Sequence, residues 1–352
     1  MSIIKVEKHN LSSMLIIVLF MPLSSCCRNA NSWTIEVVDA HGQAFGHAPP
    51  LISAGADDGL MALYVDHSMT RKIILSTQDA NMAGWSKVAT EIDDFSEAGG
   101  FNLTEVSTVH GCAIQGTLAN GRLYDVSSDG SGLKANMVAE SARWACSGTR
   151  DADGRTDLFF GRAKEFWHGW RDDGDTWSFE IIAEVPIGNS ALDSARGPNG
   201  LHVVYSSIWK LFYAHMVDEK WEIKRLGNGG YPVMRLDGAH RPHIVVINGT
   251  RVDWWRQDAE GVWIVELVYR QSRSKEIKHL GMALDTAGSP VVVVTESNAL
   301  PWSVETTLVQ KRAGKWVEEV LPWAARTNVA FDGQQRLHAV FADEEGVKHA
   351  VR

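Results

Sequence analysis

The chain has 352 residues, a hydrophobic fraction of 45% and a formal net charge of −9. That length and composition describe a globular protein with a sizeable core, while the negative balance and the lack of any Lys/Arg cluster exclude a nucleic-acid partner, which demands a positively charged face. The four cysteines show no Cys-x-x-Cys or Cys/His spacing, so no metal site is expected from them; no pattern calls for a cofactor, and only an acidic turn leaves room for Ca²⁺.

The first element is a leader. Lys5 and Lys8 precede an uncharged apolar run from Met14 to Leu23, followed by Leu23-Ser24-Ser25-Cys26: a basic region, an apolar region and a small-residue cleavage site. The run is about half of the roughly 20 residues that span a bilayer as a helix, so a retained transmembrane segment is not expected. The tetrapeptide resembles the lipobox of bacterial lipoproteins. That resemblance implies a signal peptide over 1–25, lipid on Cys26 and attachment of the mature chain to a membrane; the alternative is ordinary cleavage nearby, with Cys26 and Cys27 incidental. Residue 27 is Cys rather than Asp, so the inner-membrane retention signal of enterobacterial lipoproteins is missing and the outer membrane of a Gram-negative envelope is the expected location. In an exported chain Cys112 and Cys146 either form a disulfide or stand as two buried thiols.

From residue 32 onward the chain repeats. Ala191-Leu-Asp-Ser-Ala195 followed by Leu201-His-Val-Val-Tyr205 matches Met234-Arg-Leu-Asp-Gly-Ala239 followed by Pro242-His-Ile-Val-Val246. Each is an apolar strand carrying Asp, a turn and a second apolar strand. A third strand follows, then a fourth opening near Trp221 or Trp263. Asp151, Asp237, Asp285 and Asp332 each precede the start of a second strand, at Asp157, His243, Val291 and His338; Asp193 and His202 form the corresponding pair with a longer turn. Trp85, Trp177, Trp221, Trp263 and Trp316 open fourth strands, with Leu133 in that place in a degenerate copy. A period of 40 to 50 residues built from four short strands predicts an all-β, seven-bladed β-propeller of four-stranded antiparallel blades. The blades run over about 51–92, 100–140, 141–185, 188–226, 227–268, 278–321 and 324–352. The last unit has three strands only, and Ser32-Trp-Thr-Ile-Glu-Val-Val38 has the Trp-first pattern of the missing fourth. Strand 32–38 is therefore expected to complete the last blade and close the ring, with 26–50 forming the lipidated N-terminus, this strand and a Gly/Pro-rich link to the propeller at 51–352. The alternative is an open β-sandwich array or two smaller β domains, which leaves Trp33 unexplained.

Asp172-x-Gly174-x-Thr176-Trp177 resembles the Asp-box of sialidase-like propellers, with Trp170 where that motif has Ser. The resemblance implies a propeller fold, and the turn it implies is structural. Of the residues a sialidase needs, the Arg-Ile-Pro motif is absent, and sialidases have six blades.

Asp and His residues that recur at one place in every blade read as turn caps and packing rather than as catalysts or ligands. Residues that break the repeat are more informative. Arg143, Arg150, Arg235 and Arg326 lie on or near first strands, where they either bind an anionic ligand in the channel or form internal salt bridges. Six of the 14 Trp open fourth strands; of the others, Trp144, Trp209, Trp254 and Trp302 are candidates to offer a ring face to a glycan or protein ligand, against the alternative of packing between blades. No catalytic constellation is visible. The expected function is a monomeric, membrane-anchored binding or scaffold propeller of the cell envelope; the alternative is a sialidase-like glycoside hydrolase or lyase.

Overall fold

The computed structural model describes residues 32–352 apart from 41, 44–49, 55–58, 67–71, 79–83, 90–103, 108–112, 120–121, 129–132, 141, 152–153, 173–175, 185–190, 273 and 299–303. The described residues form strands throughout. The N-terminal strand is β1 (Thr34–Asp39). Blade one holds β2 (Gly42–Gln43), β3 (Leu51–Ala54), β4 (Leu60–Asp66), β5 (Ile73–Gln78) and β6 (Ser86–Ala89); blade two holds β7 (Thr104–Ser107), β8 (Ala113–Ala119), β9 (Arg122–Ser128) and β10 (Leu133–Glu140). Blade three is β11 (Arg143–Arg150), β12 (Thr156–Arg162), β13 (Glu165–Arg171) and β14 (Ser178–Glu184); blade four is β15 (Leu192–Gly197), β16 (Gly200–Ser207), β17 (Lys210–Val217) and β18 (Lys220–Asn228). Blade five is β19 (Gly230–Leu236), β20 (Pro242–Asn248), β21 (Arg251–Gln257) and β22 (Trp263–Arg270), and blade six is β23 (Lys275–Leu284), β24 (Pro290–Asn298), β25 (Val304–Arg312) and β26 (Lys315–Val320). Blade seven takes β27 (Thr327–Phe331), β28 (Leu337–Asp343) and β29 (Gly346–Val351) from the C-terminus and β1 from the N-terminus.

This is the expected seven-bladed propeller, its last blade completed as expected by the N-terminal strand β1. Thr34 faces Val351, Ile35 faces Ala350 and Glu36 faces His349, antiparallel. First strands pack on one another around the ring, β23 on β27 and β27 on β3, and Asn328 Nδ2 donates to the Pro50 carbonyl across the closing seam (2.8 Å). The link from β1 to blade one is not mere connection: its β2 pairs with β4 beside β3.

Second strands read as unbroken aliphatic runs because both their faces are covered by neighbouring blades. Val292, Val293 and Val294 of β24 are wholly buried, as are Val245 and Val246 of β20. Outer strands expose alternate residues, and a Trp at their start bridges to the preceding blade: Trp221 meets the His168 ring edge-on at 5.5 Å, Trp263 meets Tyr213 at 5.0 Å, Trp316 meets Trp254 at 5.6 Å and Trp85 meets His349 at 5.5 Å. Edge-on aromatic pairs contribute about 0.5–1.5 kcal/mol beyond the area they bury, so the repeated Trp is a repeated inter-blade lock.

The turns between first and second strands are built on Asp. Oδ1 of Asp151, Asp237, Asp285 and Asp332 accepts from the backbone N–H four residues on, in Arg155, Arg241, Ser289 and Arg336, at 2.7–2.9 Å. Asp193 does not belong with them. Blade four replaces the Asp turn by a two-residue connection between Gly197 and Gly200, and Asp193 lies near the start of β15, where its Oδ2 accepts from the Met234 N–H and from Arg235 of the next blade.

Candidate functional site

Antiparallel order puts the first-to-second and third-to-fourth turns on one rim of the ring, and the second-to-third turns and blade-to-blade links on the other. The two rims differ chemically. On the Asp-turn side the arginines are engaged within the protein. Arg196 bridges Asp151 (3.6 Å) and Asp157, Arg235 bonds Asp193 (3.2 Å) and the Met234 carbonyl, and Arg150 donates to the Gly154 carbonyl. For Arg150 and Arg235 the structure thus displays intramolecular bonds.

The opposite rim carries exposed aromatic groups on strained backbone. Ile208 and Trp209 are the two central residues of the hairpin between β16 and β17, with φ of 48° and 60°. A hairpin of this kind favours Asn-Gly because both residues take positive φ, and a β-branched or bulky residue there is an outlier costing about 1–3 kcal/mol. Both side chains nevertheless point to solvent, at 55% and 47% exposure. Trp209 is held in place from beneath: Gly229 N–H donates to its carbonyl (2.8 Å), and its ring lies so close to Gly230 that a Cβ there would stand 2.9 Å from Cζ3. Tyr231 follows at φ 53° and 49% exposure, its ring 6.2 Å from that of Trp209 and steeply inclined to it. A register shift between Gly230 and Val233 re-aims this start of β19, as bulges at rims and sites do.

Next to this platform on the inner side are Arg326, just before β27, and His279 in β23. Burial lowers the basicity of Arg326, with the Tyr231 phenol opposing. Burial, then the Arg326 charge, pushes the His279 imidazole down to about 4; its neutral Nε2–H donates to the Thr327 carbonyl (3.2 Å). The rim from blade four to blade seven thus presents an indole and a phenol, with a half-buried guanidinium and a neutral imidazole behind them.

Among solved structures, the fold is similar to a PL25 polysaccharide lyase, an ulvan lyase bound to -[GlcA(1-4)Rha3S]-, with a TM-score of 0.57 at 12% identity over 89% of this chain and 94% of that one. It is similar to the fucose-specific lectin from Aleuria aurantia, with a TM-score of 0.50 at 12% identity over 80% and 98%. An arginine-to-alanine mutant of AofleA from Arthrobotrys oligospora gives a TM-score of 0.50 at 10% identity over 83% and 90%. No family model matches the chain, and no curated protein sequence matches it. The chain is a β-propeller. At such identities the likeness establishes the propeller fold and nothing finer.

Of the sequence-derived candidates, Trp209 and Arg326 fall on the aromatic rim of the propeller. Trp254 does not: it is 4% exposed, enclosed by His243, Trp316, Arg256 and Lys311, so neither ring face is open to a ligand. Arg143 and Trp144 open β11, and their side chains lie outside the described residues, as do Trp302, Cys26 and Cys112 entirely; Cys146 is buried. Sequence reasoning missed Ile208, Tyr231 and His279. For Ile208 a signal was present, since Ile-Trp occupies a two-residue connection where Asn-Gly belongs.

Proposed function

We propose that this chain is a carbohydrate-binding propeller of the bacterial cell envelope, tethered through lipid on Cys26 and working as a single copy. The observation that carries this reading is the Trp209 hairpin: two bulky apolar residues kept in left-handed backbone and exposed, at a cost to stability, beside Tyr231. Flat aromatic faces suit the apolar faces of sugar rings, and retained strain of this kind clusters at ligand sites. Arg326 beside them suits an acidic substituent on the sugar. The reading is supported by the fact that two propellers of similar fold are a fucose lectin and a polysaccharide lyase with a bound saccharide.

The sialidase-like kinship implied by Asp172 and Trp177 belongs to this proposal as a relationship of fold. Turnover is no part of it. Sialidase-type hydrolysis needs an accessible carboxylic acid kept protonated. Burial is outweighed at Asp157, Asp237 and Asp332 by the bonds and charges of His168, Arg241 and His338, which hold each below the usual carboxylate range, and Asp125 and Asp193, which burial raises, are engaged by Arg171 and by Arg235 and the Met234 N–H. The test is a glycan array and calorimetry on the purified, tag-free protein. Binding of at least one saccharide, lost in Trp209→Ala with the melting temperature unchanged, is expected; no binding across neutral and acidic glycans, or binding indifferent to Trp209, would refute the proposal.

A further inference from the structure

On the rim that carries Trp209, three consecutive first strands bring one position of the repeat to the mouth of the channel. Tyr231, His279 and Arg326 each precede the turn Asp of their own blade, Asp237, Asp285 and Asp332, by six residues. Blades five, six and seven therefore set a phenol, an imidazole and a guanidinium at one level. Blade six separates blades five and seven, yet the Tyr231 phenol acts electrostatically on the Arg326 guanidinium, and Arg326 on His279. The three groups thus turn in toward the axis, with Tyr231 reaching outward to the Trp209 ring.

Arg326 stands on a fixed frame. The Ala325 carbonyl before it accepts from the hydroxyls of Thr306 (2.6 Å) and Thr327 (2.9 Å). After it, the Thr327 hydroxyl accepts from the Trp323 indole (2.9 Å), and the Thr327 carbonyl from His279 (3.2 Å). Gly281 lets β23 approach so closely that a Cβ there would stand 2.8 Å from the same Thr327 carbonyl oxygen. A side chain whose backbone is pinned on both sides loses less freedom on binding, and half-burial strengthens the pull of its charge on an anion.

The approach to the mouth is basic, although the chain as a whole carries −9. Lys210, Arg225 and Arg270 are exposed at the strand ends of blades four and five that flank the platform. The carboxylates of Asp253, Glu276, Glu296 and Glu305, at the same end of blades five and six, are engaged by Arg251, Lys278, Ser272 and Lys275. A field of this sign draws anions toward the site.

We propose that the saccharide held by this propeller is acidic and that Arg326 decides its class: a carboxylate or sulfate substituent enters the channel mouth and pairs with the guanidinium beside the Tyr231 hydroxyl, while the ring that bears it lies on the Trp209 indole. The planar fork of arginine matches the paired oxygens of either group. This assignment rests on carbohydrate binding at Trp209 and adds to it the class of sugar and the way round it lies.

The test is calorimetry on the full chain with three probes: a galacturonate trisaccharide, its methyl ester, and a neutral trisaccharide bearing one sulfate ester. Wild type should bind the free acid or the sulfate ester about tenfold or more tightly than the methyl ester, the difference expected of a charged hydrogen-bonded pair; whichever is held more tightly identifies the anion. The preference should vanish in Arg326→Gln. Arg326→Lys, which keeps the charge and loses the fork, should retain a smaller preference, and it serves in place of the glutamine variant if that one does not fold. Equal binding of all three probes, or a preference that survives Arg326→Gln, would overturn the assignment. If a glycan array returns only neutral sugars, bound through Trp209, this assignment falls and the carbohydrate reading stands; if it returns none, both fall.

Discussion

His349 Nδ1 lies 2.8 Å from Glu36 Oε1, joining the last strand of the chain to the first. The contact is one link in a series that crosses blade seven, buried at Asp332, His338 and His349 and reaching solvent at Glu36: Asp332 to His338 at 3.0 Å, His338 to His349 at 2.8 Å, His349 to Glu36, and Glu36 to Trp85 Nε1 of blade one at 3.1 Å.

This series makes ring closure acid-sensitive. Burial, with the His338 and Arg336 charges adding and Glu36 opposing, pushes His349 down to about 4, and burial lowers His338 too. Both imidazoles are neutral in the folded ring and gain protons more readily when unfolded, so their effect is nil above the ordinary value of 6.5 and destabilising as pH falls from there toward 4. For the wholly buried His349 the loss is on the order of 3 kcal/mol at full shift. Glu36 acts in the same direction: burial raises it, but bonds from His349, Trp85 and Gln78 outweigh this, so its contribution fades as pH drops below the ordinary carboxylate range. Urea midpoints should fall steadily from pH 7 to pH 5, and less steeply in His349→Gln; a midpoint that rises on acidification would contradict this.

The Asp turns should be unequal in worth. Asp258, in a third-to-fourth turn, caps two exposed backbone N–H groups, and Asp258→Ala should cost about 1 kcal/mol. Asp332 is 2% exposed and bonds the Arg336 N–H, the Arg336 guanidinium and His338. Its loss orphans a buried imidazole, and Asp332→Ala should cost about 3 kcal/mol. Denaturant unfolding of the two variants side by side measures the difference.

The strained hairpin gives a prediction with opposite signs for stability and binding. Replacing Ile208-Trp209 by Asn-Gly supplies the residues that two consecutive positive φ values favour, and should stabilise the chain by about 1–2 kcal/mol. The same double variant should lose saccharide binding. A destabilised double variant would mean that the apolar side chains contribute packing that outweighs their backbone strain.

Gly346 opens β29 at φ 121°, and a Cβ there would stand 2.1 Å from the Asp39 carbonyl oxygen, beside the register shift between Val37 and Asp39. Gly346→Ala cannot be accommodated without displacing β1, and should cost about 3 kcal/mol or more. Thermal unfolding checks this, and limited proteolysis near residue 33 should show whether the closing strand is what loosens.

The architecture was legible because it is written several times over. Aliphatic second strands, Trp at fourth strands and Asp at turns recur, and Trp33 could be assigned to blade seven because the strand it opens has the outer-strand pattern at one end of a chain whose other end lacks it. Asp193 was misread for the same reason: the repeat invited alignment of every Asp, whereas blade four had shortened its turn and put Gly197 in the equivalent place. The candidate site was only partly legible. Trp209 and Trp254 look alike in sequence, and what separates them is position, one at a hairpin tip and the other on a third strand beneath the Trp of the next blade. Tyr231, His279 and Arg326 come from three different blades, and only the closing of the ring sets them along one rim.

Thr34 and Val351 face each other from opposite ends of the chain, which bears on how the molecule is made. During synthesis β1 is made before every blade and β29 after the other six, so a strand with Ile35 and Val37 exposed stays without its edge partner until β29 is complete. Bringing such distant segments together carries a loop-closure cost on the order of 5 kcal/mol, to be met by six blades already assembled. Closure of blade seven therefore waits on β29, and a chain interrupted before that strand keeps an open sheet edge free to pair with another copy.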